Sequence, residues 1–352
     1  MHISDFDYIL PEELIAQSPT SPRDHSKLLR IDRKTGQISH HIFYEIEEML
    51  GPNDVLVLNK TKVFPARFFG VKDTVGKIEV LLIEEIKPGV WKSLTKPGLK
   101  LGQKVIFQDQ IFKVVGHDEQ TSLLETSLER NELFKLLQKF GKTPLPPYIK
   151  SLSNESDLRT AYQTVYAEKV GSVAAPTAGL HFTDKLLKSL KNRGIQIEYV
   201  TLHVGLGTFA PVKTEKLEDH PMHSEYYEVE PDVIERLNLA KEKGKRIVAV
   251  GTTSTRVLES IATVNCKLKI VNSGSTNLFI YPDYKFKFVD ALITNFHLPK
   301  STLLALVSAL VSYPNTSEKF VDFKSSLMGK AYSEAIKNKY HFFSFGDASF
   351  IV

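Results

Sequence analysis

The stretch between Gly70 and Ser127 constrains the fold most strongly, because it consists almost entirely of short strand-like runs. These runs read EVLLIEEI, KVIFQD and IFKVVGHD, and Pro-Gly, Leu-Gly and Asp-Gln turns separate them. No apolar periodicity of helical length lies between the turns. The stretch therefore predicts a small all-β domain. A predicted helix from Asn131 to Phe140 follows it and ends at Gly141.

The second half of the chain alternates helix and strand signals. Thr183 is a predicted cap for the helix DKLLKSLKNR, and the strand-like IQIEYVTLHV follows Gly194. Pro231 is a predicted first helical residue for DVIERLNLAKEK, and the buried run RIVAV follows Gly244. Together with the run DVLVLN at 54–59, this alternation predicts a mixed α/β domain with at least partly parallel strands.

Composition excludes several classes of protein. The only cysteine is Cys266, which rules out an intrachain disulfide and favours a reducing cytoplasm. The longest apolar run, Leu303 to Val311, is far shorter than the roughly 20 residues of a membrane span, and the first ten residues do not resemble a signal peptide. A net charge of +4 is compatible with nucleic-acid binding but does not indicate it.

The segment RIVAVGTTSTRVLESI predicts a buried strand followed by a hydroxyl-rich helix start. Free backbone N–H groups, the side chains of Thr252, Thr253, Ser254 and Thr255, and the guanidinium of Arg256 suit a carboxylate or phosphate. The segment has no Gly-Lys pair and is therefore not a P-loop. The alternative is an ordinary helix capped by threonine.

The residues Gly205 to Ala210 match the pattern G-x-G-x-x-A after a strand. Pro211 follows at once, and no amphipathic helix is predicted beyond it, so a dinucleotide site is not indicated. Gly205 and Gly207 instead favour a tight turn that a ligand approaches closely. A purely structural turn is the alternative.

Polar side chains in the second half are candidates for proton transfer or ligand binding. The segment DALITNFHLPKSTLL places Asn295 and His297 between a strand and a helix that Ser301 caps. The other histidines of interest are His181, His203, His220 and His223. The pair His220 and His223 lacks the glutamate of a zinc-protease motif, so no metal site is predicted. For any one of these histidines, a structural role is the alternative.

Basic residues in two other segments are candidates for phosphate contacts, with one tyrosine that is suited to stacking on a base. They are Lys60, Lys62, Arg67, Lys142 and Lys150, with Tyr148. Solvated surface is the alternative for each.

Taken together, these blocks resemble the S-adenosylmethionine:tRNA ribosyltransferase-isomerase family over essentially the whole chain. The most specific block is GSVAAPTAGLHFT, at 171–183. It is accompanied, in the family's order, by QSPTSPRDHSKLL, LNKTKVFPARFFG, PLPPYI, TLHVGLGTF, HPMHSEYYEV, RIVAVGTTSTR, DALITNFHLPKSTLL and FFSFGDA.

The resemblance implies a fold, a reaction and partners. It implies an α/β (mixed α+β) main domain, residues 1–63 plus 143–352, with an inserted β-barrel domain, residues 64–142. The reaction transfers the ribosyl part of S-adenosylmethionine to the 7-aminomethyl-7-deazaguanine wobble base of tRNA. Epoxyqueuosine forms, and adenine and methionine are released. S-adenosylmethionine is thus a consumed substrate, no resident cofactor is expected, and a monomer is expected.

The resemblance also assigns expected roles to the candidate residues. Proton transfer is expected from a group among His181, His203, His223 and Glu225. The groups expected to bind S-adenosylmethionine are Gly205, Gly207, Thr252 to Arg256, Asn295 and His297, and the basic residues with Tyr148 are expected to bind tRNA. A non-catalytic tRNA-binding module is the main alternative, and a nicotinamide oxidoreductase and a metal hydrolase are weaker ones.

Overall fold

The computed structural model describes residues 1–118, 121–150, 154–205 and 214–352. The strands are β1 (Lys27–Ile31), β2 (Ile38–Ile42), β3 (Asp54–Asn59), β4 (Thr61–Val63), β5 (Arg67–Lys72), β6 (Lys77–Lys87), β7 (Val90–Lys96), β8 (Lys104–Phe107), β9 (Gln110–Asp118), β10 (Thr121–Glu125), β11 (Lys169–Ser172), β12 (Gln196–Leu202), β13 (Glu225–Glu228), β14 (Arg246–Val250), β15 (Ser273–Thr276), β16 (Ala291–Asn295) and β17 (Ala348–Ile351). The α-helices are α1 (Ile46–Met49), α2 (Arg130–Phe140), α3 (Glu155–Ala161), α4 (Asp184–Asn192), α5 (Pro231–Glu242), α6 (Gly251–Ile261), α7 (Thr302–Leu310) and α8 (Leu327–Lys337).

Nine of the described strands form one mixed sheet, in the order β15-β13-β12-β3-β14-β16-β17-β1-β2. The four central strands β12, β3, β14 and β16 are parallel. Their carboxyl ends therefore meet at one edge of the sheet. Ligands of α/β proteins bind at such an edge, because the loops that leave neighbouring strands converge there.

Both faces of the central strand β3 are buried. In β3, Val55 and Val57 belong to one apolar core, whereas Leu56 and Leu58 belong to the core on the opposite face. Helices α5 to α8 pack in the first core and α4 packs in the second. A central parallel strand covered on both faces reads as a continuous apolar run, which is why DVLVLN predicts this strand correctly.

Strands β5 to β10 close into a barrel in the order β10-β7-β6-β5-β8-β9. In β6, Ile78, Val80 and Leu82 point into the barrel core, which Leu133 and Leu137 of α2 complete. The prediction of a mixed α/β domain with a small all-β barrel is confirmed. The barrel and α2 lie within residues 64–142, and the domain boundaries at these residues stay a prediction.

The predicted starts of three helices are also confirmed. The side-chain oxygen of Thr183 accepts a hydrogen bond from the backbone N–H of Leu186 at 3.1 Å, and Pro231 begins α5. Ser301 caps α7 in the same way, accepting from the N–H of Leu304 at 3.2 Å. No helix in the described part of the chain is long and apolar enough to cross a lipid bilayer.

Candidate active site

A cleft of about 1140 Å³ separates the barrel from the carboxyl edge of the main sheet. Barrel strands β6 and β7 form one wall, with Arg130 of α2 beside them. Strand β11, the residues that follow β12 and those around β13 form the other wall. Of the residues predicted for the site, the cleft brings together His203, Gly205, His223, Glu225 and Arg67.

His203 is held in this cleft by contacts on several sides. Its backbone N–H donates to the carbonyl of Tyr226 at 2.9 Å, and its ring stacks on the Tyr226 ring with centroids 5.8 Å apart. Its Nδ1 lies 2.8 Å from the hydroxyl of Thr61, which is completely buried. The imidazole orientation is therefore fixed by Thr61, the first residue of β4.

Gly171, the first residue of the most family-like block, gives the His203 ring its space. A Cβ at this position would lie 2.6 Å from Nε2 and 2.7 Å from Cε1 of His203. Real side chains do not approach so closely, so only glycine fits against the ring. The backbone of β11 thus forms part of the surface against which the His203 ring packs.

The charge state of His203 follows from its surroundings. The pKa of His203 is lowered to about 4, mainly by burial; the nearby cations Arg130 and Lys169 act in the same direction, whereas Glu228 opposes the shift. The imidazole is therefore neutral near pH 7, because desolvation and positive neighbours both disfavour the imidazolium.

Glu225 lines the cleft and contacts Arg256, which lines a smaller neighbouring cavity. The Arg256 guanidinium donates to one carboxylate oxygen of Glu225, and the other oxygen accepts from the N–H of Gly205 at 3.0 Å. Arg256 also donates to the carbonyls of Thr276 and Leu278 at 3.2 and 3.0 Å. The described contacts of Arg256 are thus internal, and it supports Glu225 where a free clamp for substrate was predicted.

His223 lies at the junction between the cleft and a second, smaller cavity. It is half-buried, as is its neighbour His220, whose ring packs edge-on against Phe279. Among the described residues, no group of three or more metal-ligating side chains occurs. His223 is placed to contact a ligand in the cleft.

His181 lies away from the cleft, in the short 3₁₀ helix Thr177–His181. It is buried, stacks on Phe43 with ring centroids 4.9 Å apart, and its Nδ1 lies 2.7 Å from the hydroxyl of Ser26. Burial lowers the pKa of His181 to about 4. These contacts favour the structural alternative for this residue.

Asn295 and His297 are also enclosed by protein. The Asn295 amide donates to the carbonyl of Phe343 at 2.9 Å, and the His297 backbone N–H donates to the Tyr332 hydroxyl at 2.9 Å. Burial lowers the pKa of His297 to about 3. Neither residue lines the cleft, although Asn295 ends β16 and His297 follows it at the expected edge of the sheet.

The hydroxyl residues Thr252 to Thr255 form the first turn of α6. They do not line the cleft, and the Thr255 hydroxyl donates to the carbonyl of Gly251 at 3.1 Å. The segment is thus a helix start, as predicted, without a described contact to the cleft. Gly207 lies outside the described residues.

The predicted tRNA contacts divide into two groups. Arg67 lines the cleft and pairs with Glu79 at 3.3 Å, and its backbone pairs with that of Lys142. Lys62, Lys142 and Lys150 are exposed, and Lys60 lies 3.5 Å from Glu168. Tyr148 is half-buried, packs against Phe343 and shares a hydrogen bond with the Ser344 hydroxyl at 2.7 Å.

Sequence reasoning missed several cleft residues that the tertiary structure supplies. Arg130 pairs with Glu85 at 2.8 Å and lies over the Trp91 ring, and Lys169 pairs with Glu228 at 3.1 Å. The alternation of β6 and β7 shows which residues point out of the barrel. It does not show that this outer surface faces the sheet edge.

Comparison with known proteins identifies the family. Residues 3–351 match the family model described as "Queuosine biosynthesis protein". Proteins named S-adenosylmethionine:tRNA ribosyltransferase-isomerase from Halothermothrix orenii and Thermosipho melanesiensis are each 51% identical to this chain, with 100% of both chains covered. The crystal structure of S-adenosylmethionine tRNA ribosyltransferase from Thermotoga maritima is similar, with a TM-score of 0.55 and 38% identity over 99% of this chain and 100% of that one. The chain therefore belongs to the queuosine biosynthesis protein family.

Proposed function

We propose that this chain is an S-adenosylmethionine:tRNA ribosyltransferase-isomerase. It transfers and isomerises the ribosyl part of S-adenosylmethionine onto the 7-aminomethyl-7-deazaguanine wobble base of tRNA, giving epoxyqueuosine, adenine and methionine. The observation that carries this proposal is the match of the family and of its named relatives over the full length of the chain.

The cleft supports the proposal by its size and by the types of side chain in its walls. A volume of about 1140 Å³ is large enough for a nucleoside substrate together with a base from a second molecule. The cations Arg67, Arg130 and Lys169 lie in its walls, where backbone phosphates of tRNA would pass. The target base has to leave its stack to reach the cleft, as bases do in enzymes that modify them.

The chemistry assigns roles to the groups in the cleft. The sulfonium of S-adenosylmethionine is a positive charge that acidifies the neighbouring ribose carbon, so a carboxylate close to it is favourable. Glu225 is the candidate for that carboxylate, because it lines the cleft and Arg256 and the Gly205 N–H fix its position there. His203 and His223 are the cleft histidines that can exchange protons or hydrogen bonds with the substrate.

The proposal also covers the cofactor requirement, the oligomeric state and the location of the enzyme. S-adenosylmethionine is consumed, so the enzyme needs no resident cofactor and no metal ion. The enzyme acts as a monomer in the cytoplasm, where its tRNA substrate is found.

The test compares two tRNA substrates that differ only in the reacting amine. Purified protein is incubated with S-adenosylmethionine and tRNA carrying either the 7-aminomethyl base or unmodified guanine at the wobble position. We expect adenine and methionine to appear in equal amounts with the aminomethyl tRNA alone. Binding of both tRNAs without release of adenine would support the non-catalytic binding module instead.

A further inference from the structure

The contacts of Thr61 fix the position of the His203 ring and also which of its nitrogens carries the proton. Thr61 is completely buried, and the only hydrogen-bond partner of its hydroxyl in the described part of the chain is Nδ1 of His203, at 2.8 Å. A hydroxyl both donates and accepts, and a neutral imidazole carries its proton on one nitrogen only. The direction of this hydrogen bond therefore decides whether the proton of the neutral ring lies on Nδ1, next to Thr61, or on Nε2.

The burial of Thr61 decides the direction of this hydrogen bond. If Nδ1 carried the proton and donated to Thr61, the hydroxyl hydrogen of Thr61 would be buried without an acceptor, a situation that folded proteins avoid. If the hydroxyl donates to Nδ1, both groups are satisfied. The proton of the neutral ring then lies on Nε2, and the N–H group is available on the cleft side.

The backbone around the pair is rigid enough to maintain this arrangement. The Asn59 side chain accepts from the N–H groups of Thr61 and Leu202, both at 3.1 Å, and donates to the carbonyl of Leu202 at 3.0 Å. It thereby joins the end of β3 and the start of β4, where Thr61 lies, to the end of β12, which His203 directly follows. Ser172 accepts from the N–H of Val204 at 2.9 Å and so holds Gly171 beside the ring.

We propose that Thr61 is a positioning residue that holds His203 in the Nε2–H tautomer, so that His203 acts on the substrate as a hydrogen-bond donor and not as the general base. Its partner is an acceptor atom of the nucleoside part of the substrate, a purine nitrogen or a ribose oxygen, on which negative charge develops as bonds break. A neutral imidazole is well suited to this role, because it donates without carrying its own charge into the cleft. The general base is then another group in the cleft.

This inference rests on the proposed function for its consequence but not for its direct test. The direct test is ¹⁵N NMR of protein labelled at histidine, with His203→Gln used to assign the signals. The ¹⁵N shifts and couplings distinguish the two tautomers in the absence of any substrate. We expect Nε2 of His203 to be protonated in the wild type and in Thr61→Ser, and a mixture of tautomers in Thr61→Val. A protonated Nδ1 in the wild type would overturn the proposal.

Kinetics with the same variants test the consequence. We expect Thr61→Val to lower kcat on the order of ten- to a hundredfold, with little change in KM for tRNA, because the loss of a hydrogen-bond partner has an effect of that size on metal-binding histidines. Thr61→Ser should restore turnover to within about threefold, and Thr74→Val on an exposed hairpin is the matched control. Equal turnover in Thr61→Val and Thr61→Ser would contradict the proposal. If even the wild type shows no turnover, the proposed function fails while the NMR result still decides the tautomer.

Discussion

The substitution Gly171→Ala tests whether the geometry of His203 matters for catalysis. The new Cβ would lie 2.6 Å from Nε2 of His203, whereas ordinary van der Waals contacts begin at 3.4 Å, so the ring must move by roughly 0.8 Å. A displacement of about 1 Å in a catalytic geometry costs on the order of a hundredfold in rate. Overpacking of this kind costs about 1–3 kcal/mol of folding free energy, so the variant should still fold.

The assay measures kcat and KM for both substrates, together with the free energy of unfolding in urea. We expect kcat to fall by roughly a hundredfold for Gly171→Ala with a modest loss of stability. Gly51→Ala is the matched control, because no atom lies within 4 Å of the Cβ it would add. An unchanged kcat in a folded Gly171→Ala variant would refute a catalytic role for the observed ring position.

Three further predictions concern stability and tRNA binding. Glu225→Gln removes the partner of a buried guanidinium, so we expect the free energy of unfolding in urea to fall by about 3–5 kcal/mol, and an unchanged value would mean that Arg256 finds another partner. Burial lowers the pKa of His181 and His203 to about 4 and of His297 to about 3 in the folded protein, below the value near 6.5 of the unfolded chain. The unfolded state thus binds more protons, and stability measured by urea unfolding should fall as pH decreases from about 6.5 towards 4, whereas a constant value would contradict these shifts. Arg130→Gln should weaken tRNA binding and reduce the slope of log affinity against log salt concentration by about 0.7–0.9, and an unchanged slope would exclude a phosphate contact.

The fold was largely predictable because local patterns and tertiary burial agree. The DVLVLN run is apolar without interruption from Val55 to Leu58, so both faces of the strand are apolar, which fits a strand covered on both sides. The turns between Gly70 and Ser127 are too close together for helices, so that stretch can only form strands. Thr183, Pro231 and Ser301 mark helix starts through interactions within one turn, which depend on nearby residues alone.

The site was harder to predict because it depends on contacts between distant residues. His181 and His203 both lie in family-like blocks, yet one packs on Phe43 and the other faces the cleft, and no sequence spacing distinguishes these outcomes. Arg256 has the charge that a carboxylate clamp requires, but its described carboxylate partner is Glu225, 31 residues away in the chain. Thr61 was not singled out, because a threonine at the start of a short strand has no distinctive pattern.

The central claim is that the ribose of S-adenosylmethionine becomes part of the tRNA, and isotopic labelling tests it most directly. S-adenosylmethionine with a uniformly ¹³C-labelled ribose is incubated with the protein and tRNA carrying 7-aminomethyl-7-deazaguanine, and the tRNA nucleosides, adenine and methionine are examined by mass spectrometry. We expect all five labelled carbons in the modified nucleoside, with unlabelled adenine and methionine released. Turnover that leaves the labelled carbons out of the tRNA would contradict the claim.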